Sequence, residues 1–278
     1  MAASILENEA LVRLGAFLGV LALMALWELA GPRRVLSQHK PRRWAANLGI
    51  VVLDTAVLRL LFPVLAVGLA VIAQEHGWGL FNQLPLPGWF EVVVAAVLLD
   101  MVIYWQHRLF HRIPLFWRLH RMHHADLDFD VSTALRFHPI EIVLSMLIKL
   151  AAVVVLGPAP LAVLIFELLL NATAMFNHGN VRLPIAIDRW LRWAVVTPDM
   201  HRVHHSVLTA EYNSNFGFNL PWWDRLFGSY RDQPQDGHQG MRIGLPAYRD
   251  AVCANLIWML VLPFKPLGAA SDRGEDDG

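Results

Sequence analysis

The chain has 278 residues, of which 56% are hydrophobic and only 17% charged, where a water-soluble globule carries about a quarter. Its 23 basic and 23 acidic residues cancel, which excludes a global field able to recruit nucleic acid. A single cysteine, Cys253, excludes an internal disulfide and any all-cysteine metal site, so a metal here needs other ligands.

The first apolar run, residues 14–30, follows Glu7 and Glu9 rather than a basic segment and ends at Pro32, Arg33 and Arg34. It is too long for a signal-peptide core and reads as a retained transmembrane helix. The second run, residues 45–73, is interrupted by Asp54, Arg59 and Pro63. At about 1.5 Å per residue it is long enough to cross about 30 Å of hydrocarbon with a tilt or a proline kink. Residues 74–88 carry Gly77, Gly79, Pro85, Pro87 and Gly88 and read as a short non-helical connection. A third span covers residues 89–106. Two shorter apolar stretches, 140–156 and 161–176, are separated by Gly157-Pro158-Ala159-Pro160 and read as a helical hairpin that enters and leaves on one side.

These elements predict an all-α integral membrane helical bundle of about four spans, including the hairpin. Segments 107–138 and 190–249 are expected to form a histidine-rich helical cap. Arg33, Arg34, Lys40, Arg42 and Arg43 place their loop in the cytoplasm by the positive-inside bias, and the span count then puts the cap on that side too. The expected organisation is an N-terminal membrane part (1–88), a catalytic region (89–250) and a C-terminal part (251–278). In the last, residues 253–264 read as a surface helix and residues 271–278 as a disordered tail. The Ala, Leu and Arg usage suggests a bacterial inner membrane.

Thirteen histidines are present, and eight of them fall in three windows. His107 and His111 are four residues apart at the end of a helical run, so they share a face. His120, His123 and His124 form an HxxHH triplet expected to converge on one face, and His201, His204 and His205 repeat it. A lone HxxxH is more often a packed pair than a ligand pair, but two copies of the same triplet on one membrane side point to a two-metal site. His178 and His138 lie at the same depth and are further candidate ligands; His138 is alternatively a supporting donor or a helix-start residue. His39, His76 and His238 read as bystanders.

Asp100, Tyr104, His107 and His111 line one stripe of the third span. Asp100 and Tyr104 are therefore candidates to orient the metal site, with an ordinary interhelical hydrogen bond as the competing reading for Asp100. Asn177 beside His178 is a third such candidate. Asp54 with Arg59 is equally ambiguous, and Glu167 faces either a neighbouring helix or a substrate path. Trp222, Trp223, Phe216, Phe218 and Phe227 fit an apolar channel or interface anchors.

Eight or more imidazoles exceed what one ion coordinates and favour transition metals over calcium or magnesium; zinc, iron, manganese and copper all stay open on that ground. No Ser, Cys or Lys constellation offers a nucleophile, so oxygen chemistry suits the site better than hydrolysis. A divalent metal transporter or sensor is the competing class, and would spread its ligands along a transmembrane path.

The three boxes, together with Arg136-Phe-His-Pro, Asn177-His178-Gly-Asn and Trp223-Asp-Arg-Leu-Phe-Gly-Ser-Tyr230, resemble the fatty acid hydroxylase and sterol desaturase superfamily over roughly residues 90–235. The resemblance implies a four-helix membrane bundle under a cytoplasmic cap and two iron ions, with zinc as a substitute on purification. It further implies O2 as co-substrate, hydroxylation or desaturation of a bilayer lipid, and an external electron donor of reductase, ferredoxin or cytochrome type.

Overall fold

A computed structural model describes residues 2–266; the tail expected to be disordered lies outside the described residues. The described chain is helical, with three isolated β-bridges and no extended strand. In order, the helices are α1 (Ala2–Glu7), α2 (Glu9–Ala30), α3 (Lys40–Leu61), α4 (Ala66–His76), α5 (Gly88–Arg112), α6 (Pro114–His124), α7 (Pro139–Leu156) and α8 (Pro160–Asn177). Short helices follow: α9 (Ile185–Leu191), α10 (Pro198–His204), α11 (Thr209–Tyr212), α12 (Trp222–Leu226), α13 (Gly237–Gly240) and α14 (Leu256–Val261).

Among the described residues, 5 helical segments are long and apolar enough to cross a membrane: α2, the α3–α4 pair taken together, α5, α7 and α8. The last two are the arms of the expected hairpin. Proline and glycine set the breaks. Pro63 falls in the gap between α3 and α4, where the chain turns extended at Phe62. Pro139 and Pro160 open the hairpin arms at their first helical positions, where a missing N–H costs nothing. Gly157 closes the first arm at φ 63, and a Cβ there would stand 2.2 Å from the Trp78 carbonyl, so only glycine fits. The connection expected over residues 74–88 begins three residues late, because α4 continues to His76 and stops at Gly77, and it contains a short 3-10 turn, Phe81–Gln83.

α8 is the central helix, packed by α2, α4 and α5, while α7 packs on α3, α4 and α5. Outward positions of α2, including Leu11, Leu14, Leu18, Leu26 and Leu29, are exposed, as a lipid-facing surface requires. The ends of α5 and α8 and the start of α7 all reach the same end of the bundle, where α6, α10 and the loops after them lie across it. A buried ionic cluster ties this cap to the bundle. Arg43 at the start of α3 donates to Asp126 at 2.9 Å and to Asp130 at 2.8 Å, and all three side chains are buried. Residues 251–264 form short turns around α14, too short to cross; Cys253, Met259 and Leu262 are buried while Ile257 and Phe264 stay exposed, so one face packs on the cap.

Candidate metal centre

The first histidine box lies in the last two turns of α5. Ile113, forced extended by Pro114, ends that helix and starts α6 at once. α6 therefore doubles back and carries the second box against the first. Thr197 caps α10, its hydroxyl accepting from the Met200 amide, and α10 presents the third box. His178 sits at the C-cap of α8.

These elements bring nine histidines together in two groups, each with ring nitrogens within 4.8 Å of one another: His107, His111, His120, His124 and His204 in one, and His123, His178, His201 and His205 in the other. Each HxxHH triplet, expected to converge on one face, is instead divided. Neighbouring residues on a helix diverge by about 100°, so His120 and His124 turn to the first group while His123 turns to the second. The third box mirrors this, with His201 and His205 in the second group and His204 in the first.

The imidazoles are held by their outer nitrogens. Nδ1 donates to the carbonyl of Phe216 from His107 (2.8 Å), of Arg136 from His123 (3.2 Å), of Ala174 from His178 (2.8 Å) and of Ser214 from His204 (2.7 Å). A carbonyl only accepts, so each of these rings carries its proton on Nδ1 and turns a bare Nε2 inward. His120 does the same toward the Glu141 carboxylate at 2.7 Å. Bare Nε2 atoms then face one another at 3.1 Å for His107 and His120 and at 3.1 Å for His178 and His123. Ring nitrogens of His111, His124, His201, His204 and His205 are buried with no hydrogen-bond partner. Each unsatisfied group costs about 1–3 kcal/mol and converging lone pairs repel, so cations between the rings would stabilise the arrangement. Nitrogen-only donor sets fit transition metals.

Burial keeps the rings neutral, the form that binds metal. It pushes His120 and His178 down to about 3. It holds His123, His124, His201, His204 and His205 far below the usual histidine value, and neighbouring rings add to the effect.

His138 is not brought to either group. Its Nδ1 accepts from the Ile140 amide at 3.1 Å as the N-cap of α7 and its Nε2 donates to the Leu260 carbonyl at 3.2 Å, so of its three sequence readings it occupies the helix-start one. His39 caps α3 in the same way, and His76 and His238 lie outside both groups.

The polar residues of α5 support the centre through the loop after α11. Asp100 accepts from the amides of Asn219 and Leu220 and from Trp223 Nε1 at 2.8 Å. Tyr104 shares a hydrogen bond with the Ser229 hydroxyl at 2.8 Å, and that hydroxyl donates to Asp224 at 2.6 Å. Asp224 accepts from the amides of Phe216 and Gly217, fixing the Phe216 carbonyl that orients His107. Asn177 donates to the Phe218 carbonyl at 3.0 Å. Two residues escaped the sequence reading. Asp224 was visible only as a letter in the Trp223–Tyr230 motif, and Glu141 only as an acid three residues after His138 at the start of an apolar helix. An acid placed in a span was the available signal for Glu141.

A model of the fatty acid hydroxylase family matches residues 92–229, which contain all nine grouped histidines. The chain belongs to this family. It is 29% identical over 232 residues to the ornithine lipid hydroxylase OlsE of Rhizobium tropici, covering 79% of this chain and 67% of that protein. It is 27% identical over 194 residues to an alkylglycerol monooxygenase of Xenopus tropicalis, covering 66% of this chain but only 41% of that protein. A very-long-chain aldehyde decarbonylase of Oryza sativa subsp. indica is 28% identical over 188 residues, 64% of this chain and 70% of that protein. No solved structure matches. Family membership and the apolar helices together make the chain an integral membrane protein of the lipid-oxidising class.

In this hydroxylase-family bundle a cavity of about 420 Å³ opens beside the first histidine group, with His107, His120 and Glu141 in its wall. α2, α3, α5, α7 and α8 enclose it. Phe218 alone of the aromatic residues considered for a channel lines it. Phe216 packs on His107, Phe227 stacks on Tyr104, Trp223 is held by Asp100, and Trp222 is exposed. Glu167 lines the cavity and pairs with Arg13 and Lys149 from neighbouring helices, at 2.5 Å each, which is its neighbouring-helix reading. Asp54 lines the cavity too and makes no pair with Arg59.

Proposed function

We propose that this protein hydroxylates a membrane lipid with O2, using two iron ions held by His107, His111, His120, His124 and His204 on one side and His123, His178, His201 and His205 on the other. The observation that carries this reading is the facing of bare Nε2 atoms in two adjoining groups, one of which forms the wall of a lipid-sized cavity. A metal transporter would distribute its ligands along a path through the bundle, whereas these nine gather at one end.

Bound iron supplies the redox chemistry by which O2 is used to oxidise an unactivated C–H bond. The chain's own groups do the rest. Carbonyls of Phe216, Arg136, Ala174 and Ser214 fix four rings in the tautomer that leaves Nε2 free. Glu141 holds His120 and raises its basicity, as carboxylate partners of ligating histidines do. The cavity walled by five helices presents a lipid carbon to the first group. Overall, substrate C–H, O2, two electrons and two protons yield C–OH and water. The electrons come from a separate donor of reductase, ferredoxin or cytochrome type. A cytoplasmic-facing centre in a bacterial inner membrane is the reading adopted, and the basic residues of the loop around Arg33 support its orientation. Similarity to a hydroxylase of ornithine lipid and to a monooxygenase of alkylglycerols favours a glycerolipid or amino-acid lipid over a sterol.

The test is metal analysis and Mössbauer spectroscopy of detergent-purified protein, followed by reductant-driven turnover with membrane lipid extract. About two irons per chain and an O2-dependent gain of one oxygen atom in a lipid are expected. Zinc bound on purification should be replaceable by iron with recovery of turnover. A protein without tightly bound metal, or lipid oxidation that persists after the metal is stripped, would overturn the reading.

A further inference from the structure

A groove of about 510 Å³ lies between α9 and the chain after α12, and none of its lining residues belongs to the histidine groups or to the cavity beside them. Three arginines, Arg189, Arg192 and Arg225, line it together with two carboxylates, Asp188 and Asp232. Both carboxylates are committed to the same cation: Arg192 pairs with Asp188 at 2.7 Å and with Asp232 at 2.8 Å. Arg189 and Arg225 are left without an acidic partner in the groove. Arg225 is held between the rings of Trp193 and Tyr230, its guanidinium carbon 4.0 Å from each centroid. One of its terminal nitrogens donates to the Arg192 carbonyl at 3.1 Å, and its Nε has no acceptor. A guanidinium held in this way presents a pre-set fork of donors, the arrangement that suits a phosphate.

The groove sits at the level where the spans end. The Arg182 amide donates to the Gly31 carbonyl at 3.1 Å and Val181 bridges to Pro32, so the chain enters α9 from beside the end of α2. On the other side, Phe227 packs on Trp105 of α5 at 4.8 Å, and Trp222 Nε1 donates to the Trp193 carbonyl at 2.6 Å. The rim is apolar and uncovered: Ile185 is 84% and Trp190 79% exposed, and Ile187, Trp193, Trp222 and Leu226 are exposed too. A patch of this kind marks an interaction surface, and tryptophan beside arginine is the composition of a bilayer interface with anionic headgroups. A soluble acidic partner would also match the arginines. The patch, however, runs on from the exposed Trp105 and Leu109 at the end of α5, and that continuity with a spanning helix favours the membrane.

We infer that this groove binds the phosphate of an anionic phospholipid through Arg189 and Arg225, so that α9 and α12 lie in the headgroup layer rather than standing clear of it. The site is separate from the histidine groups and does not depend on the proposed activity. α9 leads into α10, so a lipid held there also seats the segment that carries the third histidine box.

Two measurements on the full chain test this. Native mass spectrometry of detergent-purified protein with equimolar phosphatidylglycerol and phosphatidylcholine should show the anionic lipid retained about fivefold over the zwitterionic one, the upper range for a partly exposed charge pair. Arg189→Gln should bring the two lipids within about twofold, and Arg189→Lys, which keeps the charge, should retain the preference. In nanodiscs of the same lipids, a nitroxide carried by the Ile187→Cys variant in a Cys253→Ser background should be relaxed more by dissolved oxygen than by a water-soluble nickel chelate. Equal retention of the two lipids by the wild-type protein, or an unchanged preference in Arg189→Gln, would overturn the site. A nitroxide reached mainly by the chelate would overturn the seat in the headgroup layer and leave the groove to a soluble acidic partner. Neither readout needs turnover, so failure here is distinguishable from failure of the proposed activity.

Discussion

His107 and His120 face each other through Nε2 atoms 3.1 Å apart, and neither nitrogen has a proton to share. His107 has committed its proton to the Phe216 carbonyl and His120 to Glu141. Two α-helices joined at Ile113-Pro114 are thus folded against each other with lone pairs converging, a geometry that a metal ion between the rings would stabilise.

Loss of one ring should therefore be felt at one group first. His204→Ala is expected to lower the metal content of the five-histidine group, and His205→Ala that of the four-histidine group, with turnover abolished in both. Metal content by mass spectrometry, with circular dichroism to confirm insertion, measures this. Full metal loading and activity in either variant would remove the assignment.

Glu141→Gln keeps the shape of the side chain and replaces the carboxyl group that accepts from His120 Nδ1 with an amide. Outer partners of ligating histidines are worth about 10–100-fold in metal affinity. Chelator competition should show a loss in that range with the fold intact, whereas an unchanged affinity would make Glu141 a packing residue only.

Arg43→Ala should be the most damaging change outside the histidines. It leaves the buried carboxylates of Asp126 and Asp130 without their guanidinium partner, and breaking such a pair costs about 3–5 kcal/mol. A thermal shift smaller than that of a typical surface substitution would contradict this.

Acid should destabilise the metal-free protein over a defined window. His120 and His178 have folded values of about 3, below the value near 6.5 of the unfolded chain, so between these limits the unfolded state binds more protons. Their contribution is fully present above about pH 6.5 and is lost as pH falls toward 3. Denaturant midpoints should decline across that window, and metal should be released in it, because protons compete for the same nitrogens. A midpoint flat from pH 7 to 4 would show that the rings are not held neutral.

The sequence was informative wherever the signal is local. Apolar runs, the Gly157-to-Pro160 break and the three boxes each depend on residues within about four positions of one another, and these gave the spans, the hairpin and eight of the nine converging histidines. His178 followed because the hairpin must return to the boundary it left. Only the tertiary structure decided how the boxes divide, since whether His123 or His124 meets His178 depends on how α6 lies against α8 and α10, which spacing along one helix does not contain. The same holds for His138, whose imidazole is taken by the Ile140 amide and the Leu260 carbonyl more than a hundred residues away. It holds also for Asp224 and Glu141, whose partners are a backbone turn and a ring on other elements. A helix fixes by itself which side chains share a face, but which face meets a metal is set by long-range packing around groups that must not be left unsatisfied.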